Sequence, residues 1–202
     1  DALPICQNSG TYTTTTTTPS KSFYWVGGTG DWNDPTKWSL NGSSGTAQIA
    51  TGCLPTLNDD VYFDANSFTA TSTVTISGNG KGVANVRNIY WTDPNLRGSL
   101  TSGVININGS ADFTGTSNIT STIYFIGKEN NHTVKSGASL IYKSPSVTFS
   151  GTGTYKLLNN FNGSNGTLFN IYSGTFASLG NSISAFAFDS KSLPNTDDNL
   201  RN

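Results

Sequence analysis

Charge is the scarcest property of this chain. Lysine, arginine, aspartate and glutamate make up 11% of its 202 residues, and the formal net charge is −1. Soluble globular domains carry about 25% charged residues. With no basic patch there is no electrostatic footprint for nucleic acid, and with no acidic tail there is none for a cationic partner. Methionine is absent altogether, residue 1 included, which fits a processed or excised chain. No signal peptide stands at the front, as expected of such a chain. No run approaches the ~20 apolar residues of a membrane-spanning helix. No window of about 11 residues keeps a 3.6-residue apolar period, and the helix formers Glu, Lys, Leu and Ala are sparse. A single histidine, His132, is present. Any Ser/His/Asp or Cys/His apparatus would have to use it, yet Asn130-Asn131-His132-Thr133, beside Glu129, reads as an exposed polar turn. Two cysteines, Cys6 and Cys53, are too few for a zinc site or a disulfide framework. In an exported protein pairing is the favoured reading, tying the N-terminal arm to the loop before Pro55 with a crosslink of ~2–4 kcal/mol, and two free buried thiols are the competing one.

What fills the chain instead is glycine, serine, threonine and asparagine, the hydroxyl and amide surface of a secreted β protein. Residues 1–22 form an arm. It carries six threonines at 13–18 followed by Pro19. β-branching stiffens that run and the proline keeps it out of a helix, so it reads as an extended linker or edge strand, or as a glycan-bearing stalk. Residues 23–68 form a tryptophan-rich capping segment. Residues 69–202 are a body of short strands, one structural unit with the cap. Its runs include 73–76, 86–91, 104–107, 121–126, 139–142, 147–149, 155–158 and 168–172. Gly, Asn, Ser and Asp separate them.

This pattern predicts an all-β protein. A right-handed parallel β-helix is favoured over the alternative, a β-sandwich. The strands are short and numerous, tight two-residue hairpins are few, and "Gly, small, apolar" corners recur at Gly137, Gly153 and Gly174. Both folds remain compatible with strand starts every 8–20 residues or so.

A β-helix exposes apolar side chains and unpaired backbone at its ends, so it needs a cover. Trp25, Trp32 and Trp38 can supply one, each burying ~150–250 Å². Gly27 and Gly28 permit close backbone approach. Asp34-Pro35 starts a turn, and Pro55 with Asn58-Asp59-Asp60 leads into a strand containing Phe63. The whole block, Trp25-Val26-Gly27-Gly28-Thr29-Gly30-Asp31-Trp32-Asn33-Asp34-Pro35-Thr36-Lys37-Trp38 followed by Pro55-Thr56-Leu57-Asn58-Asp59-Asp60-Val61-Tyr62-Phe63-Asp64-Ala65-Asn66-Ser67-Phe68, resembles a motif of large secreted surface proteins of Bacteroidota. These include repetitive adhesins and gliding-associated proteins carried by the type IX secretion system, where the motif precedes β-helix-like repeats. The resemblance implies a secreted or cell-surface location and a role in adhesion or gliding motility. No type IX sorting domain is evident, which implies one piece of a longer protein.

The chemistry-bearing residues are weighed against that background. Paired carboxylates could run glycoside hydrolysis, but between 65 and 185 the only acids are Asp93, Asp112 and Glu129. That distribution argues against an enzyme. Asp59, Asp60 and Asp64 offer oxygen ligands for Ca²⁺, with a turn-stabilising role as the competing reading; no other cofactor is expected. Tyr90 and Trp91, with Tyr142, Tyr155 and Tyr172, could stack on sugars if exposed, or pack in the core if not. The expected function is a non-catalytic extracellular module of a bacterial cell-surface adhesin or filament. Its partners would be surface glycans, polysaccharide or other domains of the same long adhesin. The alternative is a carbohydrate-binding module of a secreted polysaccharide-degrading protein.

Overall fold

The computed structural model describes residues 19–44, 52–77, 82–137, 141–142, 146–164 and 166–190. Strands of two to four residues wind into a parallel β-solenoid of about five turns. The sandwich alternative is thereby set aside: every strand pairing among the described residues except that of Trp38–Ser39 with Ser22–Trp25 is parallel, coil on coil, rather than antiparallel within two sheets.

Each coil after the first contributes one strand to each of three faces; the first has none on sheet C. Sheet A stacks Ser22–Trp25, Asp60–Phe63, Ile89–Trp91, Ala111–Asp112, His132–Lys135, Thr154–Leu157 and Thr175–Ala177. Sheet B stacks Gly30–Asp31, Ser72–Thr75, Gly98–Thr101, Thr116–Ile119 and Ile141–Tyr142; the pair Phe161–Asn162 and Ile183–Ser184 follows in chain order. Sheet C runs from Val83–Val86 through Val104–Ile107, Thr122–Phe125, Ser146–Phe149 and Leu168–Ile171 to Ala187–Asp189.

Period-2 alternation turns every second side chain into the interior, where equivalent positions of successive coils form rows. One row on sheet A is Val61, Ile89, Ala111, Val134 and Leu157, advancing by 28, 22, 23 and 23 residues. On sheet C, Ala84, Ile105, Ile123, Val147 and Phe169 form another. All of these side chains are buried.

The run 86–91, read from sequence as one strand, is two. Val86 ends a sheet C strand and Ile89 begins the next sheet A strand, with Arg87 and Asn88 at the corner. Val86 and Ile89 both point inward, and a spacing of three is incompatible with a single period-2 strand. Of the anticipated glycine corners, Gly153 and Gly174 lie between sheets C and A, whereas Gly137 follows a sheet A strand on the way to sheet B. A Cβ at Gly153 would sit 2.2 Å from the Glu129 carbonyl oxygen, and one at Gly174 would sit 2.4 Å from that of Gly153.

Candidate functional site

The capping segment is built around its aromatics. Trp25 is an inward rung of the first sheet A strand, and its indole N–H donates to the Gly28 carbonyl at 2.8 Å. The two-residue strand Trp38–Ser39 pairs antiparallel with Ser22–Trp25 and closes that edge of sheet A. Trp38 meets Trp25 and Trp32 edge-on at 5.0 and 4.9 Å, and its N–H donates to the Trp32 carbonyl. Phe63 lies within 5.8 Å of all three tryptophan rings. The tryptophans are thus the core of the first coils rather than a flat lid over them. Asp34 caps the 3₁₀ turn Pro35–Lys37, accepting from the Thr36 N–H and hydroxyl. Those bonds hold its carboxyl below the usual range. The Lys37 stem lies over Gly27, where a Cβ would come within 2.1 Å of it, and its ammonium donates to the Gly27 carbonyl. Gly28 has φ of 59°, the left-handed region.

The three aspartates considered for Ca²⁺ do not converge. Asp59 accepts from the Lys21 and Thr56 N–H groups at 2.9 Å and from the Thr56 hydroxyl at 2.6 Å. Asp60 takes a bidentate Arg87 guanidinium at 2.8 and 2.6 Å and the Asn88 amide at 2.8 Å. Asp64 accepts from the Ser43 hydroxyl and the Asn66 N–H. Among the described residues no group of three or more His, Cys, Asp or Glu side chains is placed to hold a metal ion. The geometry gives these carboxylates turn-capping and corner roles.

Trp91 requires a correction as a sugar-stacking residue. It is fully buried, stacked on Phe63 at 3.9 Å and on Phe68 at 5.6 Å. The alternation that points Ile89 inward points Trp91 inward too. Tyr155 is buried as well. Tyr90, between those inward residues, faces out. It is the end of a row that sequence did not reveal: Tyr24, Tyr62 and Tyr90 occupy one register position in three successive sheet A strands. Their rings stack at 4.9 and 5.0 Å with interplanar angles of 18° and 19°. All three are half-buried.

This row is the candidate site. Burial, then the negative charge of Asp60, pushes the Tyr62 and Tyr90 hydroxyls above their ordinary value, so both stay protonated donors. The Asp60–Arg87 pair lies at the adjoining corner. Beyond Tyr90 the row continues with Asp112 and Lys135, paired at 3.4 Å. Because the rings stack on one another, they present edges and hydroxyl groups to solvent rather than open faces. Nearby faces carry polar rows: Thr73 with Ser99, Thr75 with Thr101, and Asn85 with Asn106.

His132 also departs from expectation. It is 7% exposed and begins the strand His132–Lys135, because it falls in the inward row two residues before Val134. Its ring lies 5.0 Å from that of Tyr155. The Gly127 N–H donates to the Tyr155 hydroxyl at 2.6 Å. A Cβ at Gly127 would lie 2.6 Å from His132 Nε2 and 2.8 Å from the Tyr155 oxygen, so these groups enclose one tight corner. Burial lowers the His132 pKa, opposed by Glu129, and burial pushes Tyr155 up to about 12.

One buried charge went unnoticed in the sequence. Asp93 is fully buried and accepts from the Asn95 and Arg97 N–H groups and from the Arg97 guanidinium. Burial alone would raise its pKa, but these bonds together lower it. The signal was present as Asp-Pro-Asn followed by arginine four residues after the aspartate.

Residues 1–18 and 191–202 lie outside the described residues, and with them Cys6, the threonine run and the proposed Cys6–Cys53 pairing; Cys53 itself is buried. No helix among the described residues is long and apolar enough to cross a membrane. Comparison of the chain with family models, curated proteins and solved structures finds no match.

Proposed function

We propose that this chain is a non-catalytic extracellular module of a bacterial cell-surface adhesin or filament. The observation that carries this reading is a parallel solenoid, its first coils filled by aromatics, whose outer faces bear strand-spaced rows of tyrosine, threonine, serine and asparagine. A stack of this kind holds its outward groups at fixed spacing. Repetition along a surface then supplies avidity from individually weak contacts. The partners are surface glycans or polysaccharide, or other domains of the same long adhesin. Secretion through the type IX route and a role in gliding motility rest on the capping motif. In that setting Cys6 and Cys53 form a disulfide. The intact mass without reductant is then two protons below that of the reduced chain, and an equal mass removes the bond.

A second reading, a carbohydrate-binding module of a secreted polysaccharide-degrading protein, is favoured by the row Tyr24, Tyr62 and Tyr90 beside the Asp60–Arg87 pair. Phenol hydroxyls, a guanidinium and an amide are donors that fit polyol oxygens. The deciding experiment is a glycan-array screen of the chain and its Tyr62→Ala variant, with and without Ca²⁺. Binding lost in the variant supports the tyrosine face as a glycan site. Ca²⁺-dependent binding would contradict the turn-capping roles of Asp59, Asp60 and Asp64. No binding to any glycan would leave a spacer or assembly role, with adhesion carried by other domains.

A further inference from the structure

On the outer face of sheet A two polar rows run side by side along the solenoid axis. Tyr24, Tyr62 and Tyr90 form the first, at one register position of three successive strands. Their ring centroids lie 4.9 and 5.0 Å apart, close to the strand spacing of any sheet, about 4.8 Å. The second row is Asp60, Asn88, Ser110 and Thr133, each one residue before an inward rung. Its members are tied to one another along the axis. The Asn88 amide donates to Asp60 at 2.8 Å, the Ser110 N–H to the Asn88 amide oxygen at 2.7 Å, and the Thr133 N–H to the Ser110 hydroxyl at 3.0 Å.

This arrangement restricts what can bind. Tyr62 has a ring stacked on each of its faces, so no pyranose can lie flat on it, and a ligand meets ring edges and hydroxyl groups. The Tyr62 hydroxyl accepts from Ser22 and keeps its own proton to donate. The rungs repeat along the axis, so a ligand that uses all three must be extended and repeat at about 4.8 Å. The carboxylates of both rows are already neutralised, Asp60 by Arg87 at 2.6 Å and Asp112, next after Tyr90, by Lys135 at 3.4 Å. These pairs offer no surplus charge to an anionic polymer. On sheet B, by contrast, the outward hydroxyls of Thr73 and Ser99 bond to each other at 3.3 Å.

We propose that the outer face of sheet A binds a linear, neutral, β-1,4-linked polysaccharide lying along the solenoid axis, about one sugar per coil. The proposal rests on the reading of this face as a glycan site and adds the class and direction of the polymer. In an extended β-1,4 chain each pyranose advances by close to one strand spacing, so every rung meets polyol oxygens. The tyrosine hydroxyls donate to them from one side. Arg87 adds donors at the adjoining corner, since Asp60 engages the Nε and Nη2 edge of a fork that has five N–H groups. An α-1,4 chain coils and leaves the rungs after a sugar or two. A uronate chain would bring its carboxylates past Asp60 and Asp112.

Titration calorimetry of the full chain with cello-, manno- and chito-oligosaccharides of increasing length tests this, with malto-oligosaccharides and oligogalacturonates as the coiled and acidic comparisons. For at least one β-1,4 series, affinity is expected to rise with each sugar up to about three, one per tyrosine rung. The coiled and acidic series are expected to bind about tenfold more weakly or worse. Tyr62→Phe keeps the ring stack and removes the middle hydroxyl, and should weaken binding about fivefold with an unchanged melting temperature. Thr73→Ala, on sheet B, should bind as the native chain does. Affinity that ignores chain length, or equal binding of the coiled or acidic series, overturns the axial polymer while the glycan reading stands. Undiminished binding by Tyr62→Phe overturns the hydroxyl contacts. No binding of any oligosaccharide removes the glycan reading and this proposal together.

Discussion

Burial holds the His132 imidazole below its usual pKa in the folded protein, and the opposing charge of Glu129 does not restore the usual value. The sign of the consequence follows by linkage. Unfolded, the imidazole titrates near 6.5; folded, it titrates lower. Between those values the unfolded chain binds the extra proton, so stability is complete above the unfolded value and falls as pH drops through the window. Thermal melts at about pH 7.5 and 5 should show a larger acid loss for the native chain than for His132→Gln. Tyr155 acts at the other limit. Its contribution is complete below pH 10 and disappears as pH rises toward about 12. At Gly174, φ is 77° and a Cβ would meet two backbone oxygens at 2.4 and 2.5 Å. Gly174→Ala should therefore cost about 2 kcal/mol or more, read as a lower urea midpoint. Gly42→Ala, with φ of 98° but nothing within 4 Å, should cost less, since only the backbone term remains. Residue chemistry was legible in sequence where it is local: Asp34 caps its own turn, and Asp59 stabilises one. It was not legible for His132, whose polar neighbours concealed an inward register position set by the coil beneath.

Strands and turns stand between those scales. The strand Trp38–Ser39 contributes two residues to sheet A, yet the Trp38 ring touches Phe23, Trp25, Trp32 and Phe63. Trp38→Ala should remove roughly 3–5 kcal/mol and much of the near-UV circular dichroism. A melt within a degree or two of the native value would show that the ring is not central to the cap. The capping block and the glycine corners were readable because turn chemistry and tryptophan are local signals. The tyrosine row was not. Tyr24, Tyr62 and Tyr90 are separated by 38 and 28 residues, and the next coils advance by 22 and 23. With coils of unequal length, no fixed period in the sequence marks which residues come to lie over one another. For the same reason Tyr90 and Trp91, adjacent in the chain, looked equivalent until the pleat sent one out and the other in.

Across the whole molecule, each coil pairs its strands only with those of the coils beside it, so stability approximates a sum of coil and interface contributions. Large interior aromatics are dense in the first coils. The last coil has partly buried rungs such as Phe176 and Ile183. Opening should therefore begin at the C-terminal end. That asymmetry has an optical consequence. All four tryptophans of the chain, Trp25, Trp32, Trp38 and Trp91, lie within the first three sheet A rungs and their loops, and all are buried. Indole emission is thus a local lamp at one end of the molecule, while far-UV dichroism averages over every strand. In a urea titration the dichroism should decline before the emission shifts to the red, and the gap between the two curves measures how many coils have unzipped in the dark. Superimposable curves would mean that the stack melts as one unit.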